Sequence, residues 1–280
     1  MLTIFSIPKP FVGHIGVIQR NALTSWFRLG PKIEVLLLGN DTGVAEAARE
    51  FGAKHVPDIA VNEYGTPLIS DAFARAANGS TRPLLLYSNA DILFDWTLLA
   101  GAEAVWSKPA FLLSGRRWDM EITIDLGEAP EQFWTELFAQ RINRGRLHGS
   151  AGMDYMLFRR DHSFSMPEFA VGRVGWDSWL VWKCRMSGVP VIDATTDVHV
   201  IHQNHDYTTL KLGYQHVRGP ERDLNIRAAG GLSHLLTLRE ASHHLVGGLL
   251  TPPSWPDCIF AMLGPTRPYQ KLLALKRALS

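Results

Sequence analysis

The chain has 280 residues, of which 46% are hydrophobic and 20% charged, and its formal net charge is +1. That length suits one large domain, or one domain with an appendage, of ordinary soluble globular composition; the near-neutral balance excludes a bulk electrostatic attraction to nucleic acid. Two distant cysteines, Cys184 and Cys258, make neither a disulfide framework nor a zinc cluster and fit a reducing, cytoplasmic compartment.

The chain opens on a strand-like segment, LTIFSIP, without the charged-then-apolar layout of a signal peptide. IGVIQRNALTSWFRL follows with apolar residues at helical spacing. IEVLLLGND is an apolar run closed by turn residues, and GVAEAAREFGA is helical with Gly52 as its stop. HVPDIAVNEYGT is irregular, PLISDAFARAANG is a helix with Pro67 near its start, and PLLLYSNADI is the third apolar run. Alternating strands and helices predict a parallel-type sheet covered on both faces. Ligands of such sheets bind beyond the carboxyl ends of the strands. Asn40-Asp41 and Asn89-Asp91 each fall at such an end.

The second half is less regular. AFLLSGRRWDMEITI reads as strand then loop, PEQFWTELFAQRINRG as an amphipathic helix, and DYMLFRR as a strand. VGWDSWLVWKCRMSG reads as a helix with an aromatic face, followed by short strands in VPVIDAT and VHVIH. Beyond Gly219 the chain reads as helical with loops, through LSHLLTLREASHHLV. The break TPPSWP precedes a basic amphipathic stretch, YQKLLALKRAL, which either touches anionic lipid or packs on the domain through its leucines. No apolar run reaches the roughly 20 residues that span a bilayer.

Asn89 and Asp91 carry the first functional signal. In an extended segment residues two apart point the same way, so both oxygens would reach one ligand. A hard divalent cation suits such oxygens; a strand-ending turn also favours Asn and Asp. Arg116-Arg117 present fixed forks of donors for phosphate, or form a solvated pair beside Asp119 and Glu121. Gly149 to Gly152 is a glycine-bearing loop, and Asp177 stands where it would cap a helix N-terminus. His202 and His205 flank Gln203-Asn204 in a segment too polar for a plain core strand. Trp176, Trp179 and Trp182 form core or the wall of a site.

In order and spacing, strand–helix–strand–helix–strand ending in Asn89-Ala90-Asp91, followed by HGSAGMDYMLFRR, GWDSW and VHVIHQNHDY, resembles GT-A-type glycosyltransferases. HQNHDY, GPERDLN and AAGG also resemble a poorly characterised bacterial group of that type. The likeness spans about residues 1 to 230. It implies a GT-A-like, Rossmann-type mixed sheet flanked by helices over 1–230, with a C-terminal helical extension over 231–280. It implies a nucleotide-diphosphate sugar as donor and a glycan or small molecule as acceptor. The family's D-x-D motif is here Asn-Ala-Asp, which leaves Asp91 as the better metal ligand. With His202 or His205 it would hold Mn²⁺ or Mg²⁺. Asp41, Asn89, Asp91, Arg116 and Arg117 would face the nucleotide, Gly149, Gly152 and Trp176 the acceptor, and Asp177 would be the base. Two other readings compete. A sugar-phosphate nucleotidyltransferase should carry a glycine-rich basic loop after its first strand, where this chain has IPKPFVGHIG. A non-catalytic binding module would be consistent with Asn at 89.

Overall fold

The computed structural model describes residues 1–205 and 219–279; Asp206 and Tyr207 of the HQNHDY segment lie outside the described residues. Three parallel strands form its centre: β1 (Leu2–Ser6), β2 (Ile33–Leu38) and β4 (Leu84–Ser88), with β1 in the middle. Their carboxyl ends share one edge, so Asp41 and Asp91 lie on the same side of the sheet. The segment read as irregular contributes β3 (Lys54–Val56), an edge strand parallel to β2. Beyond β4 the sheet continues through β9 (Tyr155–Arg159), β6 (Leu112–Ser114) and β10 (Val191–Asp193). β9 runs antiparallel to both β4 and β6.

The period-2 alternation of the strands divides the interior into two cores. Leu84 and Leu86 face one, with Leu2, Ile4 and Trp26. Leu85 and Tyr87 face the other, with Phe5, Phe73 and Phe158. Helices α1 (Gly13–Phe27), α2 (Val44–Phe51), α4 (Thr97–Ala104) and α5 (Glu131–Arg144) supply the first core. Helices α3 (Ile69–Gly79) and α6 (Trp176–Met186) supply the second.

A second, four-stranded sheet stands at the functional edge, in the order β5 (Ile92–Phe94), β11 (Val200–Gln203), β7 (Trp118–Met120) and β8 (Arg146–Leu147). Between β4 and β5 the chain passes from the large sheet to the small one through Asn89-Ala90-Asp91.

The segment LSHLLTLREASHHLV is not a helix. It makes two single-turn 3₁₀ segments, then β12 (His243–Val246), which pairs parallel to β10 and turns back as β13 (Leu249–Thr251). Gly247-Gly248, both at positive φ, make the two-residue hairpin turn that a helix would not tolerate. Before it, α7 (Pro220–Ala228) carries the GPERDLN residues. Glu221 is buried there against Arg173, with Nε at 2.9 Å, and Asn225 exchanges hydrogen bonds with the backbone of Ala170. Helices α8 (Asp257–Leu263) and α9 (Arg267–Leu279) follow the proline-rich break. Among the described residues no helix is long and apolar enough to cross a membrane.

Phe5 is wholly buried, edge-on to Phe73 at 5.2 Å and Tyr87 at 5.6 Å. Phe5→Ala is expected to cost roughly 3–5 kcal/mol in urea unfolding. Ile142→Ala, on the exposed side of α5, is expected to stay within about 0.5 kcal/mol.

Candidate functional site

The site is built where β4 ends. Ser6 Oγ donates to the Ser88 carbonyl at 2.6 Å, the Asn89 N–H donates to the Asp154 carbonyl at 3.0 Å, and the Ile92 N–H closes a turn on the Asn89 carbonyl. Because the chain turns here, Asn89 and Asp91 find different partners, contrary to the extended geometry expected from their spacing. Asn89 accepts from the Tyr87 hydroxyl at 3.0 Å and donates to Asp154 Oδ1 at 2.7 Å. Asp91 instead faces two histidines.

Ladder register explains that meeting. In β11, His202 stands opposite Ile92 of β5 on one side and Asp119 of β7 on the other. Its Nε2 lies 3.7 Å from Asp91 Oδ2 and its Nδ1 lies 3.3 Å from Asp119 Oδ1. His205 places Nε2 3.1 Å from the same Asp91 oxygen. Gln203, fully buried, pins the strand end: it donates to the carbonyls of Ile18 (2.9 Å) and Asp91 (3.2 Å) and accepts from Asn21 of α1. Burial pushes the Asp91 carboxyl up, but the His202 charge and the His205 bond outweigh it and hold the group well below the carboxylate range.

One ligand atom each from Asp91, His202 and His205 lies within 4.8 Å of the others. Asp91 Oδ1 is buried and accepts no hydrogen bond among the described residues. An orphaned carboxylate oxygen beside two imidazoles fits a divalent cation. The nitrogen donors suit Mn²⁺ better than Mg²⁺, which prefers oxygen.

A charged scaffold surrounds the cluster. Arg117 forks onto Asp119, with Nε at 2.9 Å, and onto Asp154. Its guanidinium is therefore a counter-charge between two carboxylates rather than an open phosphate ligand. Arg116 is also engaged, its Nε donating to the His148 carbonyl at 2.6 Å. His148 Nδ1 lies 2.8 Å from Asp119 Oδ2. The bonds from His202, His148 and Arg117 overcome burial and keep Asp119 far below its ordinary range. Gly152 is required by this packing: a Cβ there would stand 2.4 Å from the His148 ring. Gly149 has open space around it.

Asp177 is the second residue of α6, in the turn that follows Gly175, whose φ of +117° makes the bend. Its Oδ1 accepts from the Ser178 N–H at 2.7 Å. Burial, joined by the Asp154 charge, raises this carboxyl to about 6 despite that bond. Trp176 is buried in the second core, edge-on to Tyr87 at 4.9 Å, and supports the site from beneath. Burial first, then the charges of Asp154, Asp91 and Asp177, hold the Tyr87 phenol protonated, so the Tyr87 hydroxyl stands within the field of both the histidine cluster and α6. Asp41 is exposed at the same sheet edge, and its carbonyl accepts from the Val44 N–H.

The structure thus brings Asp91, His202 and His205 together and ties Asn89, Arg116 and Arg117 into the surrounding network. Asp154, His148 and Asn21 escaped the sequence reading, Gln203 entered it only as a polar residue between the histidines, and Asp119 only as a neighbour of the arginines. Asp154 had a usable signal: it precedes a strand antiparallel to β4, which returns it to the β4 end.

No family model and no curated protein matches this sequence. Among solved structures the chain is similar to glucosyl-3-phosphoglycerate synthase of Mycobacterium tuberculosis, with TM-score 0.50, 13% identity, and coverage of 84% of this chain and 80% of that one. A mannosyltransferase from Pyrobaculum calidifontis, solved with GDP-Man and Mn²⁺, matches at TM-score 0.48 and 14% identity, over 98% of this chain and 73% of that one. At such identities the likeness is one of fold. The mixed α/β architecture is that of the GT-A glycosyltransferase structures.

Because folding raises the Asp177 pKa to about 6, the folded protein holds that proton more tightly than the unfolded chain. Stability is therefore lost as pH rises from about 4 to about 6. Asp177→Asn cannot ionise and keeps an acceptor for Ser178. We expect it to be about 1–3 kcal/mol more stable than the parent at pH 7, with no such gain at pH 4, in urea unfolding. An equal difference at both pH values would show an ordinary carboxyl.

Proposed function

We propose that this protein is a glycosyltransferase that moves a sugar from a nucleoside-diphosphate donor to an acceptor hydroxyl. The observation that carries the reading is the Asp91–His202–His205 cluster at the carboxyl end of β4, in a sheet of GT-A architecture. Glycosyl transfer builds negative charge on the departing diphosphate. A divalent cation, Mn²⁺ before Mg²⁺, would stabilise that charge when bound. Asp91 and the two histidines would hold it. Asp119 Oδ1 lies 3.3 Å from the other nitrogen of His202 and would take up a hydrogen bond from it when the ring turns to a cation. Asp41, on the same edge, is the candidate contact for the nucleotide's ribose or base. Asn89, Arg116 and Arg117 act through the network that keeps this edge rigid.

Asp177 is the proposed base for the acceptor hydroxyl. A carboxyl raised to about 6 is ionised at neutral pH and more basic than an ordinary Asp, which suits proton abstraction. The loop from Gly149 to Gly152 borders the same region and is the proposed acceptor side.

Titration calorimetry with a panel of nucleoside diphosphates, with and without Mn²⁺, tests the reading. The parent should bind at least one of them with Mn²⁺ and far more weakly without it. Asp91→Ala should abolish the cation-dependent part and keep the parent's fold by circular dichroism, with a lower melting temperature because the contacts to His202 and His205 are lost. Equal binding by Asp91→Ala would remove the metal assignment. With a competent donor and acceptor, Asp177→Asn should slow single-turnover transfer by about 10²–10⁴-fold while donor affinity barely moves. A variant that transfers at the parental rate would leave Asp177 as a helix-terminal acceptor only.

A further inference from the structure

Helix α9 rests on the domain by one side. Gln270 is buried and donates to the Gly264 carbonyl at 3.0 Å, Leu273 packs against the second core, and Arg277 donates to the carbonyls of Leu232 (3.2 Å) and Leu235. At about 100° per residue, these positions share one face and Leu272, Leu275 and Leu279 share the opposite one. The three leucines are 63%, 59% and 81% exposed. Lys271 and Lys276, both exposed, border the leucine stripe on its two sides. Helix α8 packs beside α9, with the Phe260 ring 6.3 Å from that of Tyr269, and exposes Met262; Trp255, just before it, is 75% exposed.

The charge of this region differs from that of the rest. Residues 252–280 hold Arg267, Lys271, Lys276 and Arg277 against Asp257 alone, a net +3 in a chain whose total is +1. The remaining residues are therefore net negative. An apolar stripe edged by lysines, on a helix anchored by its other face, matches an element that lies in the plane of a lipid–water interface. The leucines would enter the acyl boundary, and the lysine stems would carry their ammonium groups to headgroup phosphates. A second copy is the poorer occupant, because pairing through this face would set two +3 segments against each other.

We propose that the outward face of α9 docks the protein on an anionic lipid surface. This surface is independent of the glycosyltransferase reading. The test is co-sedimentation of the full chain with vesicles of phosphatidylcholine alone and with about 30% phosphatidylglycerol added. The protein should pellet with the anionic vesicles only and be released by high salt. The triple variant Leu272→Ser, Leu275→Ser, Leu279→Ser, and separately Lys271→Glu with Lys276→Glu, should each lower the partition coefficient at least about tenfold. Both sets are exposed, so their melting temperatures should match the parent's. Failure of the parent to pellet with anionic vesicles overturns the proposal, as does parental pelleting by both variants. A parent dimer that the leucine substitutions convert to monomer, measured by light scattering, overturns it in favour of a second copy.

Discussion

Four carboxylates crowd one sheet edge, and their mutual repulsion governs how that edge is built. Asp91, Asp119, Asp154 and Asp177 cannot share a partly buried region without opposite charge or protonation. Arg117 answers two of them at once by bridging Asp119 and Asp154. His202 adds Asp91 and shares Asp119, standing between the two. Asp177 has no cation against it among the described residues, and its carboxyl is raised. The environments thus separate Asp91 and Asp119, held anionic, from Asp177, able to exchange a proton near neutrality, the division of labour that acid–base chemistry needs.

Neutral groups add to the rigidity of this edge. Gln203 and Asn21 are buried amides whose hydrogen bonds join β11, α1, the Asp91 carbonyl and the 124–126 loop. Trp26 adds a bond from its indole N–H to the Ile92 carbonyl at 2.9 Å. These contacts hold the backbone on both sides of Asp91. The histidine cluster therefore forms from ladder register and buried amides, without a requirement that a ligand assemble it.

Much of this was legible in the amino-acid pattern. The apolar runs of β1, β2 and β4 and the amphipathic α1 and α5 announce themselves, because burial on both faces leaves few polar residues in a strand. Asp91, His202 and His205 were also legible, as polar groups breaking apolar segments. The rest was not, for identifiable reasons. His243 to Val246 holds two histidines, and their pairing with β10 is a contact across some 50 residues that no local pattern encodes. The 89–91 turn reverses the rule that residues two apart face alike, because that rule assumes an extended chain. Asp119 looked like the solvated partner of two arginines, and only the register of β7 against β11 puts it behind His202.

The passage of the chain from the large sheet to the small one at residues 89–91 has a mechanical consequence. His202 and Asp119 belong to the β5–β11–β7 ladder and Asp91 directly precedes it, whereas Asn89, Asp154 and Asp177 hang from the large sheet and α6. The two sets meet through the Arg117–Asp154 ion pair, the short turn and the core that both sheets share. A small slide of one sheet past the other would alter the gap between Asp91 and Asp177 while leaving the spacing of Asp91 and His202 unchanged. The Arg117–Asp154 ion pair therefore couples the spacing of the two groups of carboxylates to the packing of the small sheet on the large one, which share a single buried core.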